Sequence, residues 1–254
     1  MWFEDLKKDF TYPYDKKNNF YLCLESMARY QFCADFIVDK GIEEVVDIGF
    51  ANGYGAEYMA QVAKWVYGTE VRDDLSDEAN KNMNLAGIKN ITYYPKEMHI
   101  EKTYIKDKKF KLITCLQTLA VLEKPEEALK NIHNMLDDEG YLIVSVPNAK
   151  FEPMLPNGKS AYKSHIQLFS MDRIKNMLKE IGFDIVGEYG QPLSVKLFHR
   201  EFELIDKHEY SEKKIRSWYR RDKESVDYFA RLIAYPTKND ATKSNSMIFV
   251  CKKQ

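Results

Sequence analysis

The run Asp47-Ile48-Gly49-Phe50-Ala51-Asn52-Gly53-Tyr54-Gly55 places small residues where a chain must turn sharply and lie close to a ligand. Glycines at 49, 53 and 55 remove the Cβ that would hold a ligand away, and the N–H groups of a following helix can face its polar atoms. Such a turn is a seat for a nucleotide-like cofactor. About twenty residues further on, Glu70 supplies a carboxylate, which can accept hydrogen bonds from both hydroxyls of a ribose. Each such bond contributes about 1.5–3 kcal/mol when shielded from water. The glycine spacing argues against a dinucleotide. That fingerprint needs glycine at the first, third and sixth places, and counted from Gly49 the third and sixth are Ala51 and Tyr54.

These groups must be held by strands and helices whose pattern is visible on either side. Val45 to Ile48 is a short apolar run that reads as a buried strand. Glu57 to Val66 reads as a helix, and Trp65 to Val71 as a second strand that carries Glu70 at its end. Upstream, residues 18–40 carry Leu22, Leu24, Met27, Tyr30, Ala34, Ile37 and Val38 at near-helical spacing, stopped by Gly41. Asp74, Ser76 and Asp77 offer N-caps to a helix that Gly87 ends, and Asn90 to Tyr94 is a third strand. Phe110 to Leu119 is a fourth strand with the loop that leaves it. Pro125 opens a helix to Leu136, Gly140 precedes a fifth strand, Tyr141 to Val146, and His133 reads as a surface residue of that helix. Ser170 caps a helix to Ile181, Asp184 to Tyr189 is a sixth strand, and Ser246 to Cys251 is the last.

Asp47 closing the first strand, followed by Gly49, Ala51, Gly53 and Gly55, resembles the first motif of the class I S-adenosylmethionine (SAM)-dependent methyltransferases, with Ala51 standing where the middle glycine of that motif falls. Ala28-Arg29-Tyr30-Gln31-Phe32 is similar to an arginine-tyrosine segment found upstream of the glycine loop in a bacterial group that acts on small molecules and glycans. The resemblance implies a Rossmann-like α/β fold: a doubly wound, seven-stranded, mostly parallel sheet with an antiparallel last strand. It implies SAM as cofactor, bordered by Tyr30, Asp47, Gly49, Ala51 and Gly53, with Glu70 on the ribose and Glu97 on the adenine amino group. Gln117, after the fourth strand, is a polar group within reach of cofactor or acceptor. In the family the run after that strand often carries an acid and a histidine, and here those places hold Ala120 and Val121. The Asp/Asn-Pro-Pro-Tyr element of amino-methyltransferases acting on DNA and RNA is missing, which counts against an exocyclic amine as target.

If the acceptor is an alcohol, a general base helps, because a neutral hydroxyl attacks weakly. His165, in a segment similar to the histidine-containing approach to the sixth strand in the same group, is the expected base, with His99 and Tyr162 in reserve. Family likeness points to a hydroxyl of a sugar, a glycan or another small metabolite. Methylation of a nitrogen, a carbon or a phosphonate-type oxygen, and a protein that keeps the fold without turnover, stay open as alternatives.

Composition bounds the rest. The 254 residues fit one methyltransferase domain, 44% of them are hydrophobic, and the net charge is −1 with both signs interspersed, so nucleic acid and anionic membranes are not expected partners. Cys23, Cys33, Cys115 and Cys251 lie far apart and read as reduced core thiols, with no metal site expected. No secretory leader or spanning stretch is visible, which predicts a cytoplasmic location. Residues 192–239 form an insertion between the sixth and seventh strands. Phe198, Phe202 and Ile205 share one helical face there, and Val226, Phe229, Ala230 and Ile233 another, predicting a helical cap or a homo-oligomer contact. Its basic run from Lys213 to Arg221 is interleaved with acids and reads as a solvated face, or as a contact for an anionic group on the substrate.

Overall fold

A computed structural model of the chain describes residues 13–14, 20–95, 107–191 and 222–254. Strands β1 (Glu44–Ile48), β2 (Trp65–Glu70), β3 (Ile91–Pro95), β4 (Phe110–Leu116), β5 (Leu136–Pro147), β6 (Phe183–Gly190) and β7 (Ser246–Lys253) form one sheet in the order β3-β2-β1-β4-β5-β7-β6. The first five pair in parallel, and β7 runs antiparallel between β5 and β6. This is the mostly parallel, seven-stranded α/β sheet that the resemblance implies. Strand order reverses between β1 and β4, and in open sheets of this kind ligands bind beyond the carboxyl ends of the strands at that point.

The sequence explains the layering. Val45, Val46, Leu112, Ile113, Leu142 and Ile143 have no exposed surface, as expected of strands covered on both faces. One face is covered by α4 (Pro125–Met135) and α5 (Met171–Ile181), which bring Leu129, Ile132, Ile174 and Leu178 onto Ile113, Val144 and Phe249. The other is covered by α1 (Phe20–Lys40), α2 (Tyr54–Met59) and α3 (Asp73–Ala86), through Ile37, Met59 and Ala79 among others. All four cysteines are buried, and none is in a disulfide.

Helix α6 (Lys223–Ile233) lies between β6 and β7 in sequence, and Asp222 caps it by accepting from the Ser225 N–H at 3.0 Å. Its Val226 and Ala230 are buried against Phe20, Leu24 and Met27 of α1, with Phe229 and Ile233 packed on the same cluster. Arg231 and the Tyr235 hydroxyl both reach Asp35 of α1. Phe198, Phe202, Ile205 and the run from Lys213 to Arg221 fall outside the described residues.

Several local expectations are corrected. Helix α2 stops at Met59, well before Val66, because the chain must turn back to enter β2, and the N–H groups of Lys64 and Trp65 go to the Glu43 carbonyl. The N-cap of α3 is Arg72, with no capping side chain. Asp74 instead pairs with the Arg72 guanidinium, and the Ser76 hydroxyl donates to the Arg72 carbonyl. Strand β5 begins directly at Leu136, which pairs with Phe110, so helix gives way to strand without a loop at Gly140. His133 is half-buried rather than fully at the surface: its ring packs edge-on against Phe183, centroids 5.1 Å apart. Among the described residues, no helix is long and apolar enough to cross a membrane.

Candidate active site

At the carboxyl end of the sheet lies a cavity of about 440 Å³, within the size range of small-ligand sites. Its walls come from α1, the glycine turn, the ends of β2 and β4, the loop between β5 and α5, and the start of β7. Tyr30, Gly49, Ala51, Glu70, Gln117, Tyr162 and His165 all line it. Glu97 and His99 lie outside the described residues.

The turn is built to aim a carboxylate, not to cradle an anion. The N–H groups of Gly49 and Phe50 donate to the Thr69 carbonyl, that of Gly53 to the Phe50 carbonyl, and that of Ala51 to Glu70 Oε2 at 3.0 Å. The N–H groups of Val71 and Arg72 donate to Glu70 Oε1 at 2.9 and 3.1 Å. The protein thus uses the N–H groups of these four turn positions internally. A pyrophosphate would find few donors. Glu70, by contrast, is held by three backbone donors, while a carboxylate can accept about four hydrogen bonds, so acceptor capacity remains for a hydroxyl. Burial holds its carboxyl above the ordinary range, against the pull of those N–H groups.

Ala51 and Gln117 are the two non-glycine residues with positive φ among the described residues, at 52° and 61°. Both line the cavity, and strained backbone collects at ligand sites. Gln117 is locked there: its N–H donates to the Ser145 carbonyl, and its side-chain amide to the hydroxyls of Ser145 and Ser246.

Asp47 and Gly53 do not reach the cavity wall. Asp47 has no exposed surface; it accepts from the Thr114 hydroxyl at 2.7 Å and from the Tyr30 hydroxyl at 3.1 Å. Burial raises its carboxyl to about 6, those two bonds oppose the shift, and the nearby Glu70 adds to it. Asp47 therefore anchors Tyr30 of α1 over the turn. The Tyr30 ring in turn explains Gly55, where a Cβ would come within 2.0 Å of its Cζ. Gly53 makes the left-handed turn into α2 at φ 87°, and a Cβ there would meet the Tyr93 hydroxyl at 2.5 Å.

Helix α1 contributes groups that the sequence pattern did not single out. Glu25 and Ser26 are buried and line the cavity beside Arg29. The Arg29 guanidinium donates to Gln191 Oε1 at 3.1 Å, to the Ser246 hydroxyl at 3.4 Å and to the Ser26 hydroxyl at 3.2 Å, all neutral acceptors. Buried polar groups inside a long apolar helix were the signal available for them. Thr118 was also missed; its hydroxyl donates to the Ile48 carbonyl and packs over Gly49, so that a Cβ on that glycine would lie 2.3 Å from it.

Across the cavity, His165 Nδ1 lies 2.6 Å from Glu152 Oε1. Glu152 is buried, lines the cavity and also accepts from the Ser160 hydroxyl. Nothing in the local pattern of Glu152 marks it, because its meaning depends on a residue in a later turn.

The donor and acceptor set fits SAM. An acidic acceptor held at the end of β2 suits a ribose diol, and Glu25 with Arg29 offers opposite charges to the amino and carboxylate groups of a methionine moiety. A 27% identical relative over 154 residues is the ubiquinone biosynthesis O-methyltransferase of Coxiella burnetii; the match covers 60% of this chain and 63% of that protein, so the chain spans less than two thirds of its length. Among solved structures, the chain is similar to the N-methyltransferase NodS of Bradyrhizobium japonicum in complex with S-adenosylhomocysteine, at 13% identity and TM-score 0.56, covering 91% of this chain and 87% of that one. It is similar also to the magnesium protoporphyrin IX methyltransferase ChlM of Synechocystis with bound S-adenosylhomocysteine, at 13% identity and TM-score 0.57, covering 92% and 86%. Likeness at that identity shows the fold alone. A methyltransferase-domain family model, however, matches residues 15–188, more than half of the 254. The chain belongs to the methyltransferase-domain family, as a class I member of the SAM-dependent kind.

Proposed function

We propose that this chain transfers the methyl group of SAM to a hydroxyl of a small acceptor such as a sugar, a glycan or another hydroxylated metabolite. The observation that carries this reading is that Glu70, Ala51 and Gln117 share one cavity with a histidine, His165. When bound, SAM supplies a carbon already activated toward substitution and a neutral thioether leaving group. The chain's own work is to hold the reactants in line and exclude water. Glu70 accepts from a ribose hydroxyl, Glu25 and Arg29 meet the two charges of the methionine half, and Tyr30, Gly49 and Ala51 close over the cofactor. Asp47 and Gly53 support that wall from behind, Glu97 is assigned to the adenine amino group, and His165 takes the acceptor's proton.

Val71, Leu116, Val121 and Leu122 give the cavity an apolar wall. That wall favours an acceptor hydroxyl carried on an apolar or aromatic ring over a bare sugar, and the O-methyltransferase relative agrees with oxygen as the methylated atom. The same reading treats residues 1–254 as one domain, in which helix α6 of the 192–239 insertion packs on α1. The test is incubation with methyl-labelled SAM and separate panels of phenols, catechols and free sugars, followed by mass spectrometry of products. Label is expected on phenolic oxygens first. Turnover confined to amines, or absent with every acceptor despite tight S-adenosylhomocysteine binding, would remove the O-methylation reading.

A further inference from the structure

We propose that Glu152 is a positioning residue that fixes His165 as the proton acceptor of this site, the two acting as one pair supplied by the loop between β5 and α5. The inference rests on the methyl-transfer reading above. The pair is built, not incidental. Residues Pro153 and Ala161 close a small hairpin through the Ala161 N–H to the Pro153 carbonyl at 2.7 Å, with Met154 bridged to Ser160. That hairpin sets the Ser160 hydroxyl on Glu152 Oε1, and the same oxygen faces His165 Nδ1. The loop that carries the histidine is held on the other side too. The N–H groups of Ile166 and Gln167 donate to the Ala120 carbonyl at 2.9 and 3.0 Å, which pins the histidine loop to the turn after β4. Ala120 and its neighbour Val121 occupy the places where an acid and a histidine were expected, so the pair stands on the loop docked against those places.

The carboxylate oxygen accepts, so Nδ1 must donate, and in the neutral ring the lone pair then resides on Nε2. Nε2 makes no hydrogen bond among the described residues, and His165 lines the cavity. As the acceptor oxygen bonds to the methyl carbon, the carbon–sulfur bond breaks with its electron pair going to sulfur. The hydroxyl proton passes to Nε2, and the resulting imidazolium is met by Glu152. A base of this kind serves a nucleophile that must lose a proton, an alcohol or phenol, and does nothing for a carboxylate or a tertiary amine.

The test is nitrogen NMR of the full chain labelled at histidine nitrogens, with His165→Gln assigning the signals. In the unsubstituted protein the neutral His165 ring is expected to carry its proton on Nδ1. Glu152→Leu should shift it to the Nε2–H tautomer, and Glu152→Gln, the milder change, should move the Nδ1 proton resonance upfield. Calorimetry with S-adenosylhomocysteine reports whether each variant keeps its cofactor site, within about threefold of the parent affinity. An Nε2–H ring in the parent, or His165 signals indifferent to both substitutions, would overturn the pair. Loss of S-adenosylhomocysteine binding by the parent itself would instead strike the methyl-transfer reading and leave the tautomer result standing.

Discussion

The two banks of the cavity are made differently. On one side, Gly49 to Gly55, Glu70 and Gln117 are strand ends and the turns directly attached to them, fixed by the pairing of β1 with β2 and β4. Backbone N–H groups are spent on aiming Glu70, and two residues accept strained left-handed conformations. On the other side, Glu152, Tyr162 and His165 belong to one long connection between β5 and α5, attached through a few hydrogen bonds to Ala120. The difference teaches which chemistry can vary. A loop can be remodelled without disturbing the sheet, so the acceptor side is free to change while the cofactor side is tied to the fold.

That contrast can be broken by substitution. The largest effect is expected for His165→Gln: methyl transfer should fall about 10²–10⁴-fold while S-adenosylhomocysteine affinity stays put, since the residue belongs to the acceptor bank alone. Equal losses in both, measured by product formation and calorimetry, would merge the two banks into one. Gly55→Ala attacks the other side. Its Cβ would overlap the Tyr30 ring, and the ring cannot swing away without losing Asp47, so a loss of about 1–3 kcal/mol in unfolding free energy is expected. An unfolding midpoint equal to the parent's would show that Tyr30 is not fixed where described.

Asp47→Asn sharpens the comparison through pH. Burial holds the native carboxyl near 6, above its ordinary 3.8. Between these values the folded chain keeps a proton that the unfolded chain has released, so this group's stabilising contribution is present at low pH and is lost as pH rises through about 6. The asparagine variant should lack that decline. Denaturant midpoints from pH 4 to 7 should therefore fall more steeply for the parent than for the variant, and parallel curves would contradict the assignment. The smallest effect is expected at Ala51→Gly. Removing a left-handed alanine relieves about 1–2 kcal/mol of strain, but glycine returns about 0.4–1 kcal/mol of entropy to the unfolded chain, so stability should change little. S-adenosylhomocysteine affinity should rise a few-fold as a methyl group leaves the wall, and a fall would mean that the methyl contacts the cofactor favourably.

What could be read from the sequence follows the same division. The strand, turn and second strand around Gly49 and Glu70 are local in the chain, so apolar runs and glycine spacing reveal them. The apolar face of α6, from Val226 to Ile233, is visible for the same reason. Residues that act across the fold are not. Glu152 gains its meaning from His165, thirteen residues later, and Glu25, Ser26 and Ser246 reach the cavity only because α1 and β7 pack over the sheet. Asp47 and Gly55 were legible as motif residues, yet the motif does not say that both serve Tyr30. Helix α2 is shorter than its pattern suggests because return to the sheet, not helix propensity, decides where it ends.

The most direct measurement is calorimetric titration of the full chain, and of Glu70→Ala, with S-adenosylhomocysteine. One micromolar site is expected in the parent, and at least tenfold weaker binding in a variant that stays folded. A folded parent that binds neither S-adenosylhomocysteine nor SAM, or a Glu70→Ala variant with unchanged affinity, would contradict that expectation.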